Sequence, residues 1–491
     1  MTAATARLSE QLGLPPAQIL IDGRWRAAEA GTIPVVNPSD GEAFTTIARG
    51  QARDIDDAVR AARAALDGAW GRMPAVERGR LLMKLAQAVQ DNHDTLARLE
   101  AMDTGKPTKQ AKADITALAR YFEYYGGAAD KVHGETIPFL DGYAVMCFRE
   151  PHGVTGHIIP WNYPAQILGR SLSAALAMGN AAVVKPAEDA CLTVLKVGEL
   201  ALAVGFPPGA INIVTGYGEE AGAALSAHPG IDHISFTGSP ETGALVQAAA
   251  ARNNRPVTME LGGKSPQLVF ADADLDAALP VLVNAIIQNA GQTCSAGSRL
   301  LVEAKVYDDL LSRVADRFAA LRVGASDMDL DCGPVINKTQ KGRIDSFLDR
   351  AREDGLVPRA QGKIAPNTPP GGYYVPPTLV ADVPPDHALA QEEVFGPVLA
   401  ATPFRSEDEA VKIANGTEYG LVAGVWTRDG GRQLRLARAI RAGQVFVNNY
   451  GAAGGVELPF GGVKRSGFGR EKGFDALYGF SVLKTVAVKH G

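Results

Sequence analysis

The chain has 491 residues, 46% hydrophobic and 21% charged, with a formal net charge of −5 and a pI near 6.0. That length exceeds what one core can bury, so roughly two to four domains of a soluble globular protein are expected. The faintly acidic balance, with no long basic run, speaks against nucleic acid and against a membrane surface as partners.

No segment approaches the length of a membrane span, and the start, Met1 to Arg7, lacks the apolar core of a signal peptide. Cys147, Cys191, Cys294 and Cys332 form no CxxC pair and are too few for a disulfide framework. A cytoplasmic location and no metal are therefore expected.

In chain order, residues 51–130 are mostly helical by pattern and rich in Ala, Arg and Leu. Residues 136–148 read as a hairpin turning at Asp141-Gly142. A hairpin outside a main sheet has exposed edges and wants a partner. An alternating stretch follows. Strands are expected at 153–159, 181–185, 210–214, 231–236 and 257–261, and helices at 165–178 and 191–204. Such βαβ repetition implies right-handed crossovers and a parallel sheet, with ligands beyond the carboxyl ends of the strands. A second α/β region spans about 263–460, and residues 480–488 form a further isolated strand.

The motifs sit at the ends of these strands. Pro160-Trp161-Asn162-Tyr163-Pro164 follows the first strand. An Asn amide there can donate to an oxyanion; alone, such a string is more often a turn with a structural Trp. Lys185-Pro186-Ala187-Glu188 ends the second strand, where a carboxylate can hold a ribose diol and repel a 2′-phosphate. A solvated Lys and Glu is the competing reading. Gly216-Tyr217-Gly218 reads as a plain turn. After Phe236-Thr237-Gly238, Ser239 is a good N-cap and Pro240 a good first helical residue, so this helix start can attract phosphate. Glu393 and Phe395, two apart in a segment read as extended, would point the same way and could hold a ribose and shield a nicotinamide. Surface residues fit that stretch as well.

The most informative pair is Cys294, in Gly291-Gln292-Thr293-Cys294-Ser295-Ala296-Gly297, and Glu260, in Glu260-Leu261-Gly262-Gly263-Lys264. A thiol in a loop of small residues can be approached by a substrate, and a carboxylate in a Gly-rich segment can serve as its base. Taken singly, Cys294 fits a buried structural cysteine better than a nucleophile.

In combination and in this order, PWNYP, KPAE, FTGS, ELGGK, GQTCSAG, EEVFGP and Pro459-Phe460-Gly461-Gly462 resemble the NAD(P)-dependent aldehyde dehydrogenase superfamily over roughly residues 20–485. The resemblance implies an α/β fold with a Rossmann-like cofactor domain (1–131 and 152–262), a catalytic α/β domain (263–477) and a small β oligomerisation unit (132–151 and 478–491). Segments of that unit would pair across subunits in a homo-oligomer, a tetramer ahead of a dimer.

The resemblance also carries roles. Cys294 is the nucleophile, Glu260 the general base and Asn162 the oxyanion donor. Ile159, Trp161, Lys185, Glu188, Gly218, Phe236, Gly238, Ser239, Leu261, Glu393 and Phe395 match cofactor-binding positions. NAD is expected, favoured by Glu188, with NADP left open. Ala113, Ala117, Tyr163, Ile167, Arg170, Gln288, Thr293, Gly454 and Phe460 match the aldehyde tunnel.

Small side chains around Gly454 and the polar Arg170 and Gln288 suggest a bulky or polar aldehyde, a semialdehyde among the candidates. Arg170 can instead pair with a neighbouring carboxylate and face away. A CoA-acylating enzyme would not need Glu260, and a non-redox cysteine hydrolase would not need the cofactor motifs. A non-catalytic member would be expected to lack Cys294, Glu260 or Asn162.

Overall fold

The structure is a computed structural model and describes residue 13 and residues 15–491. Among the described residues, two large sheets carry most of the chain. The first has eight strands, in the order Arg24–Arg26, Ile19–Ile21, Ile211–Ile213, Ala181–Pro186, Val154–Ile159, His233–Thr237, Val257–Glu260 and Gly467–Phe468. Its central strands run parallel. Antiparallel strands close both edges. All five strands expected from the alternating stretch form, each end within two residues of its expected place. Their apolar runs, such as Ala181 to Val184, are buried because helices cover both faces.

Numbered by appearance, the central strands lie in the order 3-2-1-4-5. The order reverses between Val154–Ile159 and His233–Thr237, which opens a crevice beyond their carboxyl ends.

The second sheet has seven strands, from Pro358–Gln361 at one edge to Gln444–Val447 at the other, and is parallel except for its first edge strand. Its strands all fall between residues 263 and 460. The chain then returns to the first sheet, where Gly467–Phe468 pairs with Val257–Glu260. Residues beyond 460 therefore tie the two sheets together at Glu260.

The helix Pro164–Ala177 begins with Pro at its first position and is buried on almost every side, in keeping with its apolar sequence. The long helix Thr108–Ala128 packs against it. No helix among the described residues is long and apolar enough to cross a membrane.

The third sheet corrects an expectation. The C-terminal strand Ser481–Lys489 pairs antiparallel with Tyr143–Pro151 in the same chain, from Ser481↔Pro151 to Lys489↔Tyr143, and Glu135–Ile137 lies on the other side. These segments do not depend on another subunit to meet. Two anchors place the strand: Asn180 Nδ2 donates to the Phe480 carbonyl (2.9 Å) and His152 Nε2 to that of Gly479 (3.1 Å). The Asp141-Gly142 turn forms as expected, with Gly142 at φ +79° and Tyr143 N donating to Leu140 O (3.2 Å).

Candidate active site

Ile159 ends the first parallel strand and Thr237 the fourth, so the residues that follow each line the crevice where strand order reverses. Lys185, fully enclosed at the end of its strand, donates from Nζ to Glu188 Oε2 (2.8 Å). Gly218 N lies 3.5 Å from the other oxygen of Glu188. Gly218 does not sit in a plain turn. It opens a single π-helical turn, Gly218–Gly222, that runs straight into the helix Ala223–Ala227. Across the crevice, Ser239 caps the helix Pro240–Ala251, its Oγ accepting from Thr242 N (3.2 Å). Phe236 is buried beneath, its ring filling the space a side chain at Gly238 would need. Gly238 N donates to the Glu260 carbonyl (3.1 Å), and Leu261 N to that of Ser466 (3.0 Å).

The two glycines after Leu261 are explained by close approach. A Cβ at Gly262 would lie 2.2 Å from Glu393 Oε2, and one at Gly263 2.3 Å from the Cys294 carbonyl oxygen. Any side chain would push Glu393 or the cysteine loop away. Glu393 Oε1 accepts from Gly263 N (2.9 Å), and burial lifts its carboxyl to about 7. The extended reading of 392–397 fails at Phe395, which takes φ +56°, so Glu393 and Phe395 do not share a face by strand alternation. Phe395 instead meets the Trp161 ring edge-on, with centroids 5.5 Å apart.

Before Cys294 the chain makes a tight turn in which Asn289 and Ala290 adopt φ +48° and +51°. Such backbone costs about 1–3 kcal/mol per residue and persists where neighbours over-determine it. Here Asn289 Nδ2 donates to the Asn162 carbonyl (2.8 Å), and Gln292 is fixed by Asn289 O (3.0 Å) and Ile336 N (2.9 Å).

The Asn162 amide, buried, gives one hydrogen to Gln292 O (3.0 Å) and keeps the other. Cys294 is half-buried, and burial pushes its thiol up to about 12, against the pull of Arg170. Glu260 is 1% exposed, and neither carboxylate oxygen has a hydrogen-bond partner. Burial raises its carboxyl well above the ordinary range, with Arg170 again opposing.

One side chain that sequence reading passed over organises this corner. Lys106 is 0% exposed and donates to Asp114 (2.5 Å), Glu100 (3.2 Å) and the Asn162 carbonyl (3.1 Å), with its Nζ 4.3 Å from the Tyr163 ring centre. Its signal, a Lys in Asp103-Thr104-Gly105-Lys106-Pro107 between two helices, resembles any charged turn. Glu471 was likewise invisible. It accepts from Ser235 Oγ (2.5 Å) and forms a buried ion pair with Arg170.

A cavity of about 930 Å³ opens at Cys294. Asn162 lines it, as do Ala113, Ala117, Tyr163, Ile167, Arg170, Gln288, Thr293, Gly454 and Phe460. Tyr163 Oη and Thr293 Oγ1 are 2.9 Å apart on its wall. Arg170 departs from the reading of it as a free cation. Its guanidinium pairs with Glu471, donates to Thr237 Oγ1 (3.1 Å) and lies 5.0 Å from the Phe460 ring centre. A cavity of this size holds a drug-sized ligand.

Residues 25–486 match the aldehyde dehydrogenase family. Retinal dehydrogenase 2 of Homo sapiens is 43% identical over 478 residues, covering 96% of this chain and 92% of that protein. A solved Burkholderia cenocepacia chain described as an aldehyde dehydrogenase is 66% identical, with a TM-score of 0.96 over 97% of this chain and 100% of that one. Betaine aldehyde dehydrogenase of Staphylococcus aureus, solved with NAD+, is 35% identical, with a TM-score of 0.95 over 98% of this chain and 96% of that one.

Proposed function

The chain belongs to the aldehyde dehydrogenase family, and from that premise we propose which residues carry its reaction and on what kind of aldehyde. It is an NAD-dependent oxidoreductase that converts an aldehyde to the carboxylic acid.

The cofactor crevice fits a dinucleotide. The capped helix start at Ser239 offers free N–H groups to a pyrophosphate, and Lys185 with Glu188 offers a donor and an acceptor to a ribose diol. The Glu188 charge opposes a 2′-phosphate, which supports NAD over NADP. Gly262 keeps Glu393 in the crevice, where it can take the second ribose. Held by these residues, NAD would supply the acceptor for the hydride.

Cys294, as thiolate, adds to the aldehyde carbon and forms a C–S bond. The spare Asn162 N–H and the Cys294 backbone N–H stabilise the alkoxide where it develops. Loss of hydride from that carbon leaves a thioester on Cys294. Glu260 takes a proton from water, the hydroxide attacks the acyl carbon, and the acid leaves as the thiol re-forms. The observation that carries this reading is Glu260, with both oxygens unpartnered in protein and its backbone joined to the crevice, so a water is its natural ligand.

The cavity volume and the small residues at Ala113, Ala117 and Gly454 support a bulky or polar aldehyde over acetaldehyde. A kinetic screen over aliphatic, aromatic and carboxylated aldehydes tests this, with acetaldehyde as best substrate the refuting result. Residues 1–131 with 152–262 form the cofactor domain in this reading, 263–477 the catalytic domain, and 132–151 with 478–491 the oligomerisation unit. The exposed margins of the third sheet support a homo-oligomer, and the family resemblance puts a tetramer ahead of a dimer. Four free cysteines support the cytoplasm.

A further inference from the structure

Four basic side chains line the substrate cavity: Lys109, Arg120, Arg170 and Lys472. Three have their positions explained by groups other than a substrate. Arg120 pairs with Glu123 (3.0 Å) and Glu457 (2.6 Å). Arg170 pairs with Glu471. Lys109 is exposed at the rim and donates to the Asp329 carbonyl (3.1 Å).

Lys472 is different. Among the described residues it forms no ion pair, and its Nζ donates only to the Gly454 carbonyl (3.1 Å). An ammonium has three donors, so two remain for whatever enters the cavity. The backbone presents it deliberately. Lys472 adopts φ +61°, an unfavourable conformation for a long side chain, directly after Glu471, which is bridged in both directions to Phe460 (2.6 and 2.8 Å). Its Nζ lies 5.8 Å from the centre of the Phe460 ring that Arg170 also approaches.

Space lies beside it. The turn Gly451–Gly454 carries no side chain larger than methyl, and a Cβ at Gly454 would meet nothing within 4 Å. Burial lowers the Lys472 ammonium to about 8, as does Arg170, while Glu457 and Cys294 act the other way. Glu457 is already engaged by Arg120. A partly desolvated cation with no ion pair of its own is costly, and an anion on the substrate removes that cost.

We propose that Lys472 is the anion-recognising residue of the substrate cavity and binds the carboxylate of an aldehyde that carries one at the end remote from its carbonyl. The proposal rests on the reading of this cavity as the site of aldehyde oxidation, and it makes the preferred substrates anionic as well as bulky.

The test compares 4-carboxybenzaldehyde with 4-formylbenzamide, which has the same shape and no charge. The wild-type enzyme should favour the carboxylate on the order of tenfold or more in kcat/KM, the size of one charged hydrogen bond. Lys472→Met should bring that ratio to near one through the KM of the carboxylate alone, and Lys472→Arg should restore most of it. An equal loss on both substrates in Lys472→Met would make Lys472 a tether for the Gly454 turn and overturn the proposal. A wild-type enzyme indifferent between the two compounds overturns it as well, yet leaves the cavity reading intact if both are good substrates. Efficient oxidation of acetaldehyde with neither aromatic accepted overturns both.

Discussion

At the scale of single residues, the site is a set of groups whose environments oppose their resting ionisation. Burial holds the Glu260 carboxyl well above the ordinary carboxylate value of about 4.3, and pushes the Cys294 thiol up to about 12. In the proposed mechanism both groups act when deprotonated. Thioester hydrolysis should therefore rise with pH through the raised Glu260 pKa, and the single-turnover burst should rise through that of Cys294. A hydrolysis rate flat from pH 5 upward would contradict the burial of Glu260.

Cys294→Ala is expected to lower turnover by roughly a thousandfold or more while NAD still binds, because the crevice residues lie elsewhere. Calorimetric titration and NADH absorbance check the two halves of that statement. Glu188→Ala should raise kcat/KM with NADP relative to NAD, since it removes the charge that a 2′-phosphate meets; an unchanged ratio would deny Glu188 that role. Arg170 was readable from sequence as a cavity residue but not as the partner of Glu471, three hundred residues away in the chain. Such a pair is set by how Gly467–Phe468 returns to the first sheet. Arg170→Leu should accordingly lower kcat/KM for charged and uncharged aldehydes alike.

At the scale of elements, the strand ends were the most legible part. Short β-rich runs separated by helical stretches mark Val154–Ile159, Ala181–Pro186 and His233–Thr237 and point to a ligand site at their carboxyl ends, while the sheet order that puts the crevice between the first and fourth strands is seen only in the structure. The helix start at Ser239 was legible because its cap is local. Two things were not. Phe395 leaves the extended region because the 393–396 segment must bring Glu393 to Gly262 while Gln340 Nε2 holds the Phe395 carbonyl (2.7 Å), a constraint from distant chain. The Lys106 cluster joins two helices, at Glu100 and Asp114, to two loops, at Lys106 and Asn162, so no local pattern announces it. Its loss should be felt. Lys106→Met leaves Glu100 and Asp114 as buried carboxylates without their cation, a change worth about 3–5 kcal/mol of stability. Denaturant unfolding of the variant checks this, and an unaltered midpoint would show that water replaces the ammonium at no cost.

At the scale of the whole molecule, residues 461–489 bind the parts together. They bring Glu471 to Arg170, close the first sheet beside Glu260, and build the third sheet with Tyr143–Pro151. That third sheet leaves Phe139, Leu140, Val482, Leu483 and Val488 exposed along its margins. An apolar edge of this kind favours assembly into a closed homo-oligomer. Light scattering at micromolar concentration should return a tetramer or a dimer, and a monomeric mass would refute the idea. Turnover in the proposed mechanism depends on one covalent step and its release. Glu260→Gln, mixed with NAD and a saturating aldehyde in a stopped-flow cell, should release one equivalent of NADH per active site in a burst and then turn over slowly, with the acyl group found on Cys294 by peptide mass mapping. A variant that shows no burst, or whose acyl group sits on another residue, would contradict the central claim.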